Sequence, residues 1–175
     1  MTSTAVTTEE PASQQVLGTL APREFEDFYR ARREQVFRGL ALTLRDRDLA
    51  ADATDEAMAR AYQHWRSVSS YNNPEGWTYR VGLNWARSRM RRTKREVRGF
   101  RIDDQAGLEI VPADPSLAAA LAELPLQQRA VVVLRFYFDW STEQVAKALG
   151  VPKGTVKSRL SRALERLESH AEVTR

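Results

Sequence analysis

The sequence predicts an all-α fold: two small helical domains joined by a flexible linker. Three observations lead there. Apolar residues recur at helical spacing through two long stretches, residues 22–95 and 117–170. Between them, residues 96–116 bring in Asp103, Asp104, Glu109 and Asp114 among Gly99, Gly107, Pro112 and Pro115, an acidic and turn-rich composition that suits a linker. Residues 140–167, WSTEQVAKALGVPKGTVKSRLSRALERL, carry the start, turn and stop signals of a helix-turn-helix.

Composition narrows the chemistry. The 175 residues allow one or two small domains, and 27 basic against 23 acidic residues leave a net charge of only +4, so the distribution of charge matters more than its sum. There is no Cys, which excludes disulfides, thiolate metal sites and a Cys nucleophile. His64 and His170 are too far apart for a ligand pair. No Gly-rich nucleotide loop or paired-carboxylate site is visible, so neither an enzyme nor a cofactor is expected. No apolar run reaches the roughly 18 residues needed to cross a bilayer, and the N-terminus lacks the pattern of a signal peptide. A cytoplasmic protein without membrane insertion is the expectation.

Taken in order, residues 1–21 are rich in Thr, Ser, Gln and Ala and read as a disordered tail. From Pro22, Phe25, Phe28, Tyr29, Val36, Phe37, Leu40 and Leu44 follow a helical period. Arg45 to Asp48 form a short connection, after which a helix over about 49–65 packs Ala50, Ala53, Ala57, Met58 and Ala61. Asp52, Asp55 and Glu56 fall in its first turns, where acids suit the helix dipole. SVSSYNNPEG (67–76) is a loop, because Asn-Pro and small polar residues stop a helix.

The helix over about 75–95 is the most charged element. Arg80, Asn84, Arg87, Arg91 and Lys94/Arg95 recur in one stripe, flanked by Trp77, Val81 and Trp85 on one side and by Tyr79, Leu83, Ala86 and Met90 on the other. From Trp77 to Arg101 there are nine basic residues and one acid, Glu96. That density is self-repelling unless a polyanion neutralises it, and counterion release from nucleic acid would supply binding energy. Trp77 is read either as a core residue or as part of that surface; Trp85 is read as core.

Beyond the linker, Leu117, Leu121 and Leu124 define a short helix stopped by Pro125. LQQRAVVVLRFYF (126–138) then reads as one buried helix under the helix-turn-helix. There, Ser141 is a natural N-cap with Gln144 completing a capping box, Val145, Ala148 and Leu149 face inward, and Gly150 closes the first helix. On the second helix Val156, Leu160, Ala163, Leu164 and Leu167 fall on one side. Ser158, Ser161, Arg162 and Glu165 fall opposite, with Lys157 and Arg159 on the flanks. A helix that packs on one face and shows Lys, Ser and Arg on the other suits the DNA major groove, where these side chains can read base edges.

In order and spacing, these motifs resemble those of a bacterial RNA polymerase sigma factor, sigma-70 family, of the extracytoplasmic-function (ECF) group. DLAADATDEAMARAY (48–62) is similar to the segment that docks on core polymerase, and NPEGWTYRVGLNWARSRMRRTKR (73–95) to the helix that opens the promoter and reads its −10 element. LPLQQRAVVVLRFYFDWSTEQVAKALGVPKGTVKSRLSRAL (124–164) resembles the region that binds the −35 element. The resemblance implies that Lys157, Ser158, Ser161 and Arg162 face bases of the upstream element, with Gly154, Thr155 and Arg159 near phosphates. It implies that Trp77, Arg80, Asn84, Arg87 and Arg91 hold the non-template strand, and that Tyr71 and Asn72 receive a flipped base. For polymerase docking, Asp52, Asp55, Glu56 and Met58 match by position, although the family often has Gln at the place of Asp55 and an aromatic at that of Met58. The implied partners are core RNA polymerase and promoter DNA, both duplex and single strand. Many members of the family are held by an anti-sigma factor, and no residue here decides whether this chain has one. The competing reading, a dimeric helix-turn-helix regulator of duplex DNA, leaves the Arg80–Arg91 stripe without a role.

Overall fold

The computed structural model describes the backbone of residues 13–96 and 115–173, and the side chains of residues 24–93 and 116–169. Its regular elements are helical, and no strand occurs among the described residues. The N-terminal half is built from α1 (Ser13–Leu44), α2 (Arg47–Gln63), α3 (Trp65–Val68) and α4 (Pro74–Glu96). The C-terminal half contains α5 (Pro115–Ala122), α6 (Leu126–Val132), a π-helical turn (Val133–Tyr137), α7 (Thr142–Leu149) and α8 (Lys153–Val173). The expected linker falls mostly outside the described residues.

Local chemistry sets the helix boundaries. α1 starts at Ser13, ahead of the expected start at Pro22, so residues 13–21 are helical in backbone. Gln14, Gln15, Leu17, Leu20 and Ala21 are all good helix formers, and the helix tolerates Pro22 at the loss of one ladder hydrogen bond. It ends where Arg45 takes φ 58°, a left-handed residue that turns the chain. Asp46 then caps α2, its Oδ1 accepting from the Leu49 N–H at 2.9 Å. Asn73 does the same at the start of α4, accepting from the Gly76 N–H at 2.7 Å. These two short acceptors fix the angles at which α2 and α4 leave their loops.

Ala50, Ala53, Ala57 and Ala61 are buried along α2, and Tyr79, Leu83 and Ala86 along α4. Small residues let α2 lie close to its neighbours, while Tyr79 fills the space between α1 and α4. Its phenol meets the Thr43 hydroxyl at 2.6 Å, and that hydroxyl in turn lies 2.8 Å from the Gly39 carbonyl. Burial pushes the Tyr79 phenol well above its usual pKa.

Two expectations change in the C-terminal half. Residues 126–138 are not one buried helix: α6 gives way to π-helical geometry at Val133, with the Phe138 N–H donating to the Val133 carbonyl at 3.3 Å. The wider turn rotates Phe136 and Tyr137 outward, leaving Phe136 61% exposed, while Val133, Leu134 and Phe138 stay buried. Leu164 is 38% exposed rather than packed, because it stands one residue beyond the buried Ala163 at the edge of the apolar stripe. The remaining apolar face of α8 packs as expected, Val156 and Ala163 fully and Leu160 and Leu167 partly.

Candidate nucleic-acid interface

α7 and α8 form the predicted helix-turn-helix. The Ser141 side chain accepts from the Gln144 N–H at 3.3 Å, and the Gln144 side chain accepts from the Ser141 N–H at 2.8 Å. Gly150 closes α7 at φ 65°, ψ 40°, and the Val151 N–H reaches back to the Ala146 carbonyl at 3.1 Å. This pattern satisfies the last carbonyls of α7 and sets the angle to α8.

Against that scaffold, α8 presents Gly154, Lys157, Ser158, Ser161 and Arg162 to solvent, with Thr155 and Arg159 half-buried beside them. Space around Gly154 is open, so the first turn of α8 is accessible to a phosphate. Among the described residues neither Lys157 nor Arg162 is in an ion pair, which leaves their charge for a ligand. Ser161 donates to Glu165 at 3.0 Å, and Ser158 to the Thr155 carbonyl at 3.1 Å. Glu143, at the start of α7, is held below the usual carboxylate range by its hydrogen bonds to Lys153 and Lys147, so those two lysines share one negative charge between them.

The second candidate surface lies on α4 and the loop before it. Tyr71 and Asn72 are exposed, as are Arg80, Asn84 and Arg91; Trp77 and Arg87 are half-buried. Tyr71, Asn72, Trp77 and Arg80 converge on one cleft of about 670 Å³. The opposite wall of that cleft is α7, through Gln144 and Lys147. Further along α4, Trp85 leans against the core with the Arg89 guanidinium 5.4 Å from its ring centroid. Trp85, Ser88, Arg89, Arg92 and Arg60 line a separate groove of about 690 Å³. Sequence reasoning did not single out Arg89, Arg92 or Arg60, although the density of Arg along α4 was the available signal for the first two.

The residues expected to meet polymerase divide by depth. Asp52 and Asp55 are exposed, and Asp55 accepts from Arg33 at 2.7 Å, which raises the Arg33 pKa. Glu56 is paired with Arg60 at 2.7 Å. Met58, in contrast, is only 2% exposed, because it follows Ala57 onto the core side of α2. It supports this face from below and does not form its surface. The sequence reading missed the aromatic neighbours: Phe25, Tyr29 and Tyr62 gather over Met58 and Asp55, and Tyr62 is 56% exposed.

The fold and these surfaces define an all-helical nucleic-acid-binding protein with a helix-turn-helix in one half and an arginine-rich helix in the other. Sigma-70 region 2 matches residues 28–96, and Sigma-70, region 4 matches residues 115–167. The chain is 33% identical over 156 residues to the RNA polymerase sigma-E factor of Streptomyces coelicolor, covering 82% of this chain and 84% of that one. It is 32% identical over 148 residues to the ECF RNA polymerase sigma factor SigM of Mycobacterium tuberculosis, covering 82% and 74% respectively. In fold it is similar to the sigma factor RpoE solved in complex with the anti-sigma factor NepR from Bartonella quintana: TM-score 0.73, 24% identity, 87% of this chain and 99% of that one. The chain therefore belongs to the sigma-70 family, in its ECF group, whose members direct RNA polymerase to promoters.

Proposed function

We propose that the two modules divide promoter recognition between them. α8 reads the −35 element as duplex, with Lys157, Ser158, Ser161 and Arg162 toward base edges and Gly154, Thr155 and Arg159 toward phosphates. The loop before α4 takes a base flipped from the −10 element between Tyr71 and Asn72, while Trp77, Arg80, Asn84, Arg87 and Arg91 hold the non-template strand. The observation that carries this reading is the cleft in which Tyr71, Asn72, Trp77 and Arg80 meet, since it joins a stackable ring, an amide and a cation within reach of one nucleotide.

The modules correspond to residues 22–95 and 117–170, with residues 1–21 and 96–116 as tail and linker. Asp52, Asp55 and Glu56, backed by Met58 and bordered by Tyr62, form the surface for core polymerase. Opening would draw on captured bases, with no covalent chemistry by this chain, which acts in the cytoplasm without a cofactor. Each contact is modest, and holding both on one polymerase makes the second effectively intramolecular. The structural neighbour's complex with NepR supports an anti-sigma factor as a further partner. A dimeric regulator explains only the C-terminal half, whereas the family match spans both. Run-off transcription with core polymerase over genomic promoter fragments tests the reading. Promoter-dependent transcripts that vanish without this chain are expected; none in its presence would refute it.

A further inference from the structure

Of the four side chains proposed to face upstream bases, Lys157 and Arg162 can only donate, whereas Ser158 and Ser161 carry both a proton and lone pairs. A hydroxyl free to turn barely discriminates, because it can donate to guanine or thymine and accept from adenine or cytosine. Neither hydroxyl is free to turn. Ser158 donates to the Thr155 carbonyl at 3.1 Å, and Ser161 donates to the Glu165 carboxylate at 3.0 Å. A carbonyl and an ionised carboxylate have no proton to give, so chemistry fixes the direction of both bonds. Each hydroxyl proton is committed within α8, and lone pairs remain for a base. In chain order α8 therefore presents donor, acceptor, acceptor, donor.

The two bonds differ in origin. Ser158 is held by the backbone of the preceding turn, which any sequence on α8 would supply. Ser161 is held by a side chain: Glu165 stands four residues further along α8, where side chains one turn apart meet. Glu165 is exposed, and among the described residues it is in no ion pair. It lies on the same side of α8 as Ser158, Ser161 and Arg162. A carboxylate there repels the phosphates that Lys157, Arg159 and Arg162 attract, and it does so on every sequence alike. What it can add is discrimination. In the major groove only adenine and cytosine offer an amino donor, so a hydroxyl confined to accepting distinguishes them from guanine and thymine on the strand it faces.

We infer that Glu165 is a positioning residue for promoter recognition: it holds Ser161 as an acceptor, so that Ser161 selects an amino-bearing base, adenine or cytosine, in the upstream element. The inference rests on the proposed placement of Ser161 toward a base edge. Holoenzyme reconstituted from core polymerase and the full chain tests it by selection from a pool of random-sequence duplexes of promoter length. Sequencing the bound fraction gives base frequencies at each upstream position. Wild type is expected to favour adenine or cytosine at the position facing Ser161 by about 2- to 10-fold, the range of one hydrogen bond. Ser161→Ala should level that position, which identifies it. Glu165→Ala should admit guanine and thymine at the same position, because the released hydroxyl can donate. Glu165→Gln should keep most of the preference, since its amide oxygen still accepts from Ser161. Both Glu165 variants lose the same charge and should bind all duplexes more tightly, so a preference lost in one and kept in the other does not come from charge. Ser161→Ala that leaves every position as in wild type refutes the placement of Ser161, and the inference with it. Levelling by Ser161→Ala while Glu165→Ala keeps the wild-type preference overturns the inference alone. So do equal relaxation by Glu165→Ala and Glu165→Gln, and a wild-type preference for guanine or thymine at that position. An effect of Glu165→Ala that persists in the Ser161→Ala background also overturns it, because Glu165 then touches a base itself.

Discussion

Arg162→Ala separates promoter recognition from polymerase binding. Arg162 is exposed on α8, and among the described residues no carboxylate pairs with it, so removing it breaks no internal contact. Ala is also at least as good a helix former as Arg, so the melting temperature should not fall. A bidentate Arg–guanine contact discriminates against the wrong base by about 1–3 kcal/mol, or about 5- to 150-fold in affinity. Holoenzyme carrying the variant should lose that factor on a consensus upstream element and much less on an altered one, leaving affinity for core polymerase unchanged. Competitive binding of fluorescent promoter fragments to reconstituted holoenzyme measures the first, and titration of labelled chain with core enzyme the second. A loss equal on all sequences would make Arg162 a phosphate contact. An equal loss of core binding would refute the division of labour.

Gly150→Ala forces a Cβ onto a residue at φ 65° and against the Arg80 guanidinium, so it should cost about 1–2 kcal/mol of unfolding free energy; a melting temperature equal to wild type would count against it. Tyr71→Ala should reduce strand opening, read by permanganate reactivity of thymines, by the roughly 1–3 kcal/mol that one stacked base contributes, with duplex binding to the upstream element intact. Burial raises the Glu75 carboxyl above its usual range while Arg32, 3.8 Å away, pulls it back. A raised folded-state pKa favours the fold below the unfolded value and disfavours it as pH rises through the folded one. Glu75→Gln should therefore melt higher than wild type at pH 7, with the gain fading toward pH 4; a lower melting temperature at pH 7 would contradict this.

The helix-turn-helix was legible because its signals are local. Ser141, Gln144 and Gly150 each act within a few residues, so the caps follow from the string of letters. The stripe on α4 was legible for a similar reason, since one helix carries all of it. What escaped depends on the partner surface. Nothing around Val133 marks a π turn, and the outward Phe136 and inward Phe138 are sorted by contact with Tyr79 and Gly39 in the other module. Arg129 and Thr43 are 86 residues apart, and no local pattern points from one to the other. Met58 failed differently: matching a motif gives a position along α2 but not the depth of the side chain.

The chemistry of the two kinds of contact also differs in a way that bears on control. The module interface rests on buried apolar packing and on Arg129 bonded to carbonyls, neither of which a salt solution screens strongly. The promoter contacts proposed for Lys157, Arg159, Arg162, Arg80 and Arg91 would release counterions, so they should weaken steeply with salt. Raising ionic strength should therefore weaken DNA binding steeply while leaving the melting temperature, which rests in part on Phe138 packed against Tyr79, little changed.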